Sequence, residues 1–143
     1  MDSPAVSLPT AGRILLSFDH YLNTEARFDG GNIKVSVNGG EYRLVDASAF
    51  LFNPYNRNLE RAEDGNTNPL AGEGAFSGSN EGTFDGSWGQ SQVDLSGMAE
   101  PGDTIRIRFD LGVDQCVGID GWYVDNVRIT VDSPVRRAGG RVG

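Results

Sequence analysis

Apolar and polar residues alternate along this chain with a period of two, in short runs separated by glycine-rich turns. In residues 13–20, Ile14, Leu16 and Phe18 share one parity while Ser17 and Asp19 share the other, which predicts a strand with one buried face. Residues 32–37 repeat the pattern, with Ile33, Val35 and Val37 inward and Lys34 and Ser36 outward. Asn38-Gly39-Gly40 then predicts a tight hairpin turn into a strand over 41–45, because Asn and Gly both tolerate positive φ. The clearest strand is 104–111, where Ile105, Ile107, Phe109 and Leu111 line one face and Arg106, Arg108 and Asp110 the other.

Residues 53–90 are the least regular third, rich in Asn, Gly, Ser and Pro. So long a loop is either functional or contains short strands; Phe76 with Ser77, and residues 87–95, are the candidates, 92–96 being the best patterned. Residues 100–103 read as a Pro-Gly turn, residues 112–121 as a loop, and residues 121–131 as the final strand. No window keeps a 3.6-residue period over three turns. Seven or eight short strands with glycine turns predict an all-β fold, a two-sheet antiparallel β-sandwich of jelly-roll type.

The final strand raises a chemical question. Counting by twos back from Val131 through Ile129 and Val127 puts Asp125 on the core-facing parity. An ionised carboxylate in an apolar interior costs several kcal/mol or more, so it requires a proton, a cation or a metal. The matching cluster is the acidic link after the strand at 13–20, which carries Asp19, Glu25 and Asp29 followed by Gly30 and Gly31. Asp19, Glu25, Asp29 and Asp125 are therefore the expected ligands of one Ca²⁺, an ion that takes six to eight oxygens in irregular geometry. The two glycines are expected to free the backbone so that carbonyls join them. The competing reading has solvated loop acids and a bulge that turns Asp125 outward.

The charge narrows the partners. With 143 residues the chain holds one domain. A net charge of −8 and a pI near 4.5 argue against nucleic acid, whose recognition rests on clustered Lys and Arg. Cys116 alone makes no internal disulfide and reads as a small buried hydrophobe. No run of about 18 apolar residues stands in the chain, so no membrane insertion is expected. Residues 1–12 lack the pattern of a signal peptide, and 1–12 and 133–143 read as linkers flanking a domain at 13–132. The expectation is a module of a longer secreted or cell-surface protein, with the neighbouring domains of that chain as its partners.

Enzymatic readings find little to stand on. There is one histidine, His20, read as a strand-end surface residue, and neither an H-E-x-x-H nor a G-x-S-x-G motif. A glycosidase pair among Glu25, Glu73 and Glu81 is formally open. Binding of a glycan or a cell-surface protein is the better alternative. Exposed rings at Tyr55, Trp88 and Trp122, with Phe84 and the asparagines at 53, 56, 58, 66 and 68, have suitable chemistry, and Trp122 has the parity opposite to Val127. Against it, aromatic residues of small sandwiches fill the core, and Trp88 is a candidate plug. A purely structural spacer is the remaining alternative.

Several segments together resemble a known family. Thr24-Glu25-x-x-x-Asp29-Gly30-Gly31, Val37-Asn38-Gly39-Gly40, Val93-Asp94-Leu95-Ser96, Ile105-Arg106-Ile107-Arg108-Phe109 and Gly121-Trp122-Tyr123-Val124-Asp125-Asn126-Val127 are similar, in order and spacing, to the MAM-like jelly-roll modules of secreted bacterial peptidases and cell-surface proteins. The resemblance implies a concanavalin-like or galactose-binding-like sandwich, an extracellular location, a structural calcium near the acidic link and the last strand, and no catalysis of its own. Animal MAM domains carry paired cysteines; this chain has Cys116 only.

Overall fold

The computed structural model describes residues 1–79, 88–114 and 121–132. Expectations for Glu81, Phe84, Cys116 and the tail at 133–143 lie outside those residues.

The strands are β1 (Val6–Ser7), β2 (Arg13–Asn23), β3 (Gly30–Val37), β4 (Arg43–Leu44), β5 (Phe50–Phe52), β6 (Arg57–Asn58), β7 (Gly74–Ala75), β8 (Trp88–Asp94), β9 (Thr104–Gly112) and β10 (Gly121–Asp132). They form two antiparallel four-stranded sheets, ordered β1-β9-β3-β4 and β10-β2-β8-β5, with β6 and β7 paired apart. The two-sheet all-β sandwich expected from the alternation is the architecture found.

Parity explains the core. Ile14, Leu16, Phe18 and Leu22 of β2 and Val93 of β8 are buried on the inner face of one sheet, and Ile33, Val35, Ile105, Ile107 and Phe109 of β3 and β9 on that of the other. Leu111, opposite Gly31 near the end of β9, departs from its strand's pattern and is exposed. At the turn after β3, Asn38 and Gly39 take positive φ as expected and the Gly40 amide donates to Val37 O at 3.0 Å. Pairing then resumes only at Arg43 and Leu44, so the expected strand over 41–45 is two residues long.

The first residues are not a free linker. β1 pairs with β9 through Val6 opposite Ile105, Ser3 N donates to Ile107 O at 2.8 Å, and Asp2 pairs with Arg108 at 2.7 Å. Without them the edge of β9 would expose a row of unpaired backbone groups.

The long irregular stretch is held by its asparagines. Asn56 Nδ2 donates to Ser77 O at 2.7 Å while its Oδ1 accepts from Ser77 N at 2.9 Å, and Asn68 Nδ2 donates to Phe28 O at 2.7 Å. These side chains stand in for missing strand partners. Asn56, Asn66 and Asn68, considered above as ligand contacts, are spent on the fold.

Candidate functional site: an acidic cluster between two loops

The chain leaves β2 at Asn23 and turns back into β3 within six residues. The turn closes through Asp29 N donating to Glu25 O at 3.0 Å. It is fastened from beside β7, where Ser77 Oγ donates to Asp29 O at 2.6 Å and Gly78 N donates to Thr24 Oγ1 at 2.9 Å. Gly30 pairs with Gly112, so the residues just before β3 lie beside those just after β9. Asp114 N donates to Asp29 Oδ1 at 2.7 Å.

This brings three carboxylates together. Glu25, Asp29 and Asp114 each offer an oxygen within 4.8 Å of the other two, and Asp29 is 1% exposed. One oxygen of Glu25, Oε2, is buried without a hydrogen-bond partner. Burial and then the negative charges of Asp114 and Asp29 push the Glu25 carboxyl above its ordinary range. Burial likewise pushes Asp29 up, against the lowering effect of the Asp114 amide. An all-oxygen set of one buried and two half-buried carboxylates that repel one another can hold a metal ion, and its lack of His and Cys suits a hard cation.

The expected ligand set is thus redrawn. Glu25 and Asp29 are brought together, but Asp19 and Asp125 are not with them. Asp125 lies opposite Asp19 on the outer face of the β10-β2-β8-β5 sheet, because the register shifts between Asp125 and Arg128. Asn126 sits in that bulge at φ 51°, and the extra residue moves Asp125 to the solvent side while Ile129 stays opposite Leu16. The parity count assumed a continuous pleat, and the bulge breaks it. Asp114, within a stretch read only as a loop, was missed; its place follows from the pairing of β3 with β9, which local alternation does not reveal.

Gly30 and Gly31 also serve a different purpose from the one expected. A Cβ on Gly31 would lie 2.2 Å from Trp122 Cε3, and one on Gly30 would lie 2.7 Å from Phe76 O. Both lie within β3 and admit close neighbours instead of bending a loop around an ion.

The expected rings divide. Tyr55 is 8% exposed and its hydroxyl donates to Ile33 O at 3.3 Å, so it belongs to the core. Trp122 points inward, its ring centroid 5.8 Å from that of Phe109 and 5.9 Å from that of Phe76. The bulge again explains the inverted parity, since Val127 lies within it and Trp122 before it. Trp88, the candidate plug, is exposed on the outer face.

His20 is buried, contrary to the surface position expected of it. Trp122 Nε1 donates to its Nδ1 at 2.9 Å, which leaves the proton on Nε2, 2.9 Å from Ser91 Oγ. Ser91 Oγ in turn donates to Asn53 O at 2.7 Å. The imidazole therefore donates to the serine and has no lone pair free to take its proton.

Fold and site together define a two-sheet β-sandwich with an acidic cluster between the β2–β3 turn and the segment after β9. No protein-family model matches the chain. It is similar to bacillopeptidase F of Bacillus subtilis (strain 168), a peptidase by name, with 27% identity over 124 residues. The match covers 87% of this chain and 6% of that protein, so the chain spans a small fraction of its relative's length. Among the described residues no helix is long and apolar enough to cross a membrane.

Proposed function

We propose that this chain is a non-catalytic accessory module of a larger secreted or cell-surface protein, held together by a Ca²⁺ bound at Glu25, Asp29 and Asp114. The observation that carries the reading is the buried, unpartnered Glu25 Oε2 facing two further carboxylates. Carboxylates so placed need a shared proton or a cation between them, and an all-oxygen donor set favours calcium over zinc. Bound there, the ion ties the entry of β3 to the exit of β9, a link that a chain with one cysteine cannot make by a disulfide.

The accessory role is supported by the likeness to a small part of a much longer peptidase. The MAM-like resemblance of the sequence points the same way. Non-catalytic character is supported by His20, whose nitrogens are both engaged in the core.

Thermal melting with and without chelator tests the reading. At a free Ca²⁺ one hundred times its Kd, binding adds about 2.7 kcal/mol, which for a domain of this size is a rise in Tm on the order of 10 °C. The rise should vanish in Glu25→Gln. A Tm unmoved by EDTA and by added Ca²⁺ contradicts the calcium.

A further inference from the structure

The outer face of the β10-β2-β8-β5 sheet carries a row of three aromatic rings. Tyr123, Tyr21 and Trp88 are register partners across three adjacent strands. The Tyr123 and Tyr21 centroids stand 5.8 Å apart with the rings edge to face, and those of Tyr21 and Trp88 6.1 Å apart with the rings tilted by 51°, so that the rings brace one another. The two ends of the row face solvent, Trp88 being 58% and Tyr123 53% exposed. Burial on the core side explains none of this, because these positions have the outward parity of their strands.

The next row of the same face is polar. Asp125, Asp19 and Gln90 are register partners there. Asn126 Nδ2 donates to Asp19 Oδ2 at 2.8 Å and Gln90 Nε2 to Asp19 Oδ1 at 3.4 Å, so Asp19 is fixed in place while each of its oxygens keeps a lone pair for another donor. Asp19, Trp88, Gly89, Asp125 and Asn126 line a cleft of about 380 Å³ open to solvent. That volume lies within the range of small-ligand sites.

We propose that this cleft and ring row bind a neutral glycan, with a pyranose ring stacked on Trp88 and its hydroxyls donating to Asp19 and accepting from Asn126. The C–H face of a pyranose is apolar and its rim is hydroxyl-bearing, which matches a ring row beside a carboxylate and amide row. Charge selects a neutral sugar: among the described residues two carboxylates and no Lys or Arg line the cleft, in a chain of net charge −8, so an anionic polysaccharide is repelled. Geometry disfavours a cationic ligand, since the rings form a row on one face instead of a cage around a point. This site shares no residue with the acidic cluster and does not rest on calcium being bound there.

The test is titration of the 143-residue chain, with calcium in the buffer and folding monitored by far-UV circular dichroism. Soluble cello-, xylo-, manno- and N-acetylchito-oligosaccharides serve as neutral probes and alginate as an anionic one, followed by isothermal titration calorimetry. Saturable binding of at least one neutral probe is expected, weakened at least tenfold in Trp88→Ala, with Tyr123→Ala as the second variant at the far end of the row. Both substitutions are on the exposed face and should leave the circular dichroism spectrum unchanged. The proposal is overturned if no neutral probe binds, if alginate alone binds, if binding survives both substitutions, or if the chain instead self-associates through this face without binding any sugar.

Discussion

His20 is the residue on which the core's polar chemistry turns. Its ring accepts from Trp122 and donates to Ser91 at once, an arrangement open only to the neutral imidazole. Burial lowers its pKa to about 4, only partly offset by the charge of Asp19, against about 6.5 when unfolded. The sign follows directly. The unfolded chain takes up the proton first, so the contribution of His20 is fully present above pH 6.5 and is lost as pH falls from 6.5 toward 4. The loss amounts to about 3 kcal/mol near pH 4. Urea denaturation between pH 7 and 4.5 should show this slope in the native chain and not in His20→Gln, whose amide retains a donor and an acceptor but takes up no proton. Equal slopes in the two proteins would contradict the buried neutral imidazole. Nothing in the neighbourhood of His20 in the sequence announced its partners: the strand-end position suggested the surface, and Ser91 and Trp122 lie 71 and 102 residues away.

At the scale of the strand, β10 shows what alternation reveals and where it stops. Ile129 and Val131 lie opposite Leu16 and Ile14 of the core-facing β2 positions, as the period of two required. Asp125 and Trp122 do not follow, since one additional residue between Asp125 and Arg128 exchanges the faces of everything before it. The device is Asn126 at φ 51°, a left-handed conformation that Asn tolerates and most L-residues do not. Asn in a run of otherwise β-forming residues was the available sign, and it is ambiguous without the partner strand. Asn126→Gly should therefore fold with a similar Tm, because glycine accepts the same backbone. Asn126→Val should lose about 1–2 kcal/mol in denaturant melts, from the cost of the left-handed conformation. If valine proves as stable as glycine, the bulge does not depend on that conformation.

At the scale of the molecule, the sandwich brings acids of distant segments to one margin. Strand positions, the turn at Asn38-Gly39 and the two-sheet architecture were legible because each follows from spacing within a few residues. The full acidic cluster was not. Glu25 and Asp29 share one link and could be singled out, whereas Asp114 joins them only because Gly112 pairs with Gly30. Electrostatics gives the cluster its consequence. Glu25 and Asp29 are both held above their ordinary range, so each favours the folded state most when protonated, and that contribution is lost as pH rises through its folded pKa. Near neutral pH the cation-free cluster therefore opposes folding, and a divalent ion bound there as proposed would reverse the sign by neutralising it.

A crystal structure grown from calcium-containing solution measures this directly. One ion should stand among Glu25, Asp29 and Asp114 with carboxylate oxygens at about 2.3–2.6 Å. Water alone between those three side chains, or an ion held instead by Asp19 and Asp125 on the outer face, would contradict it.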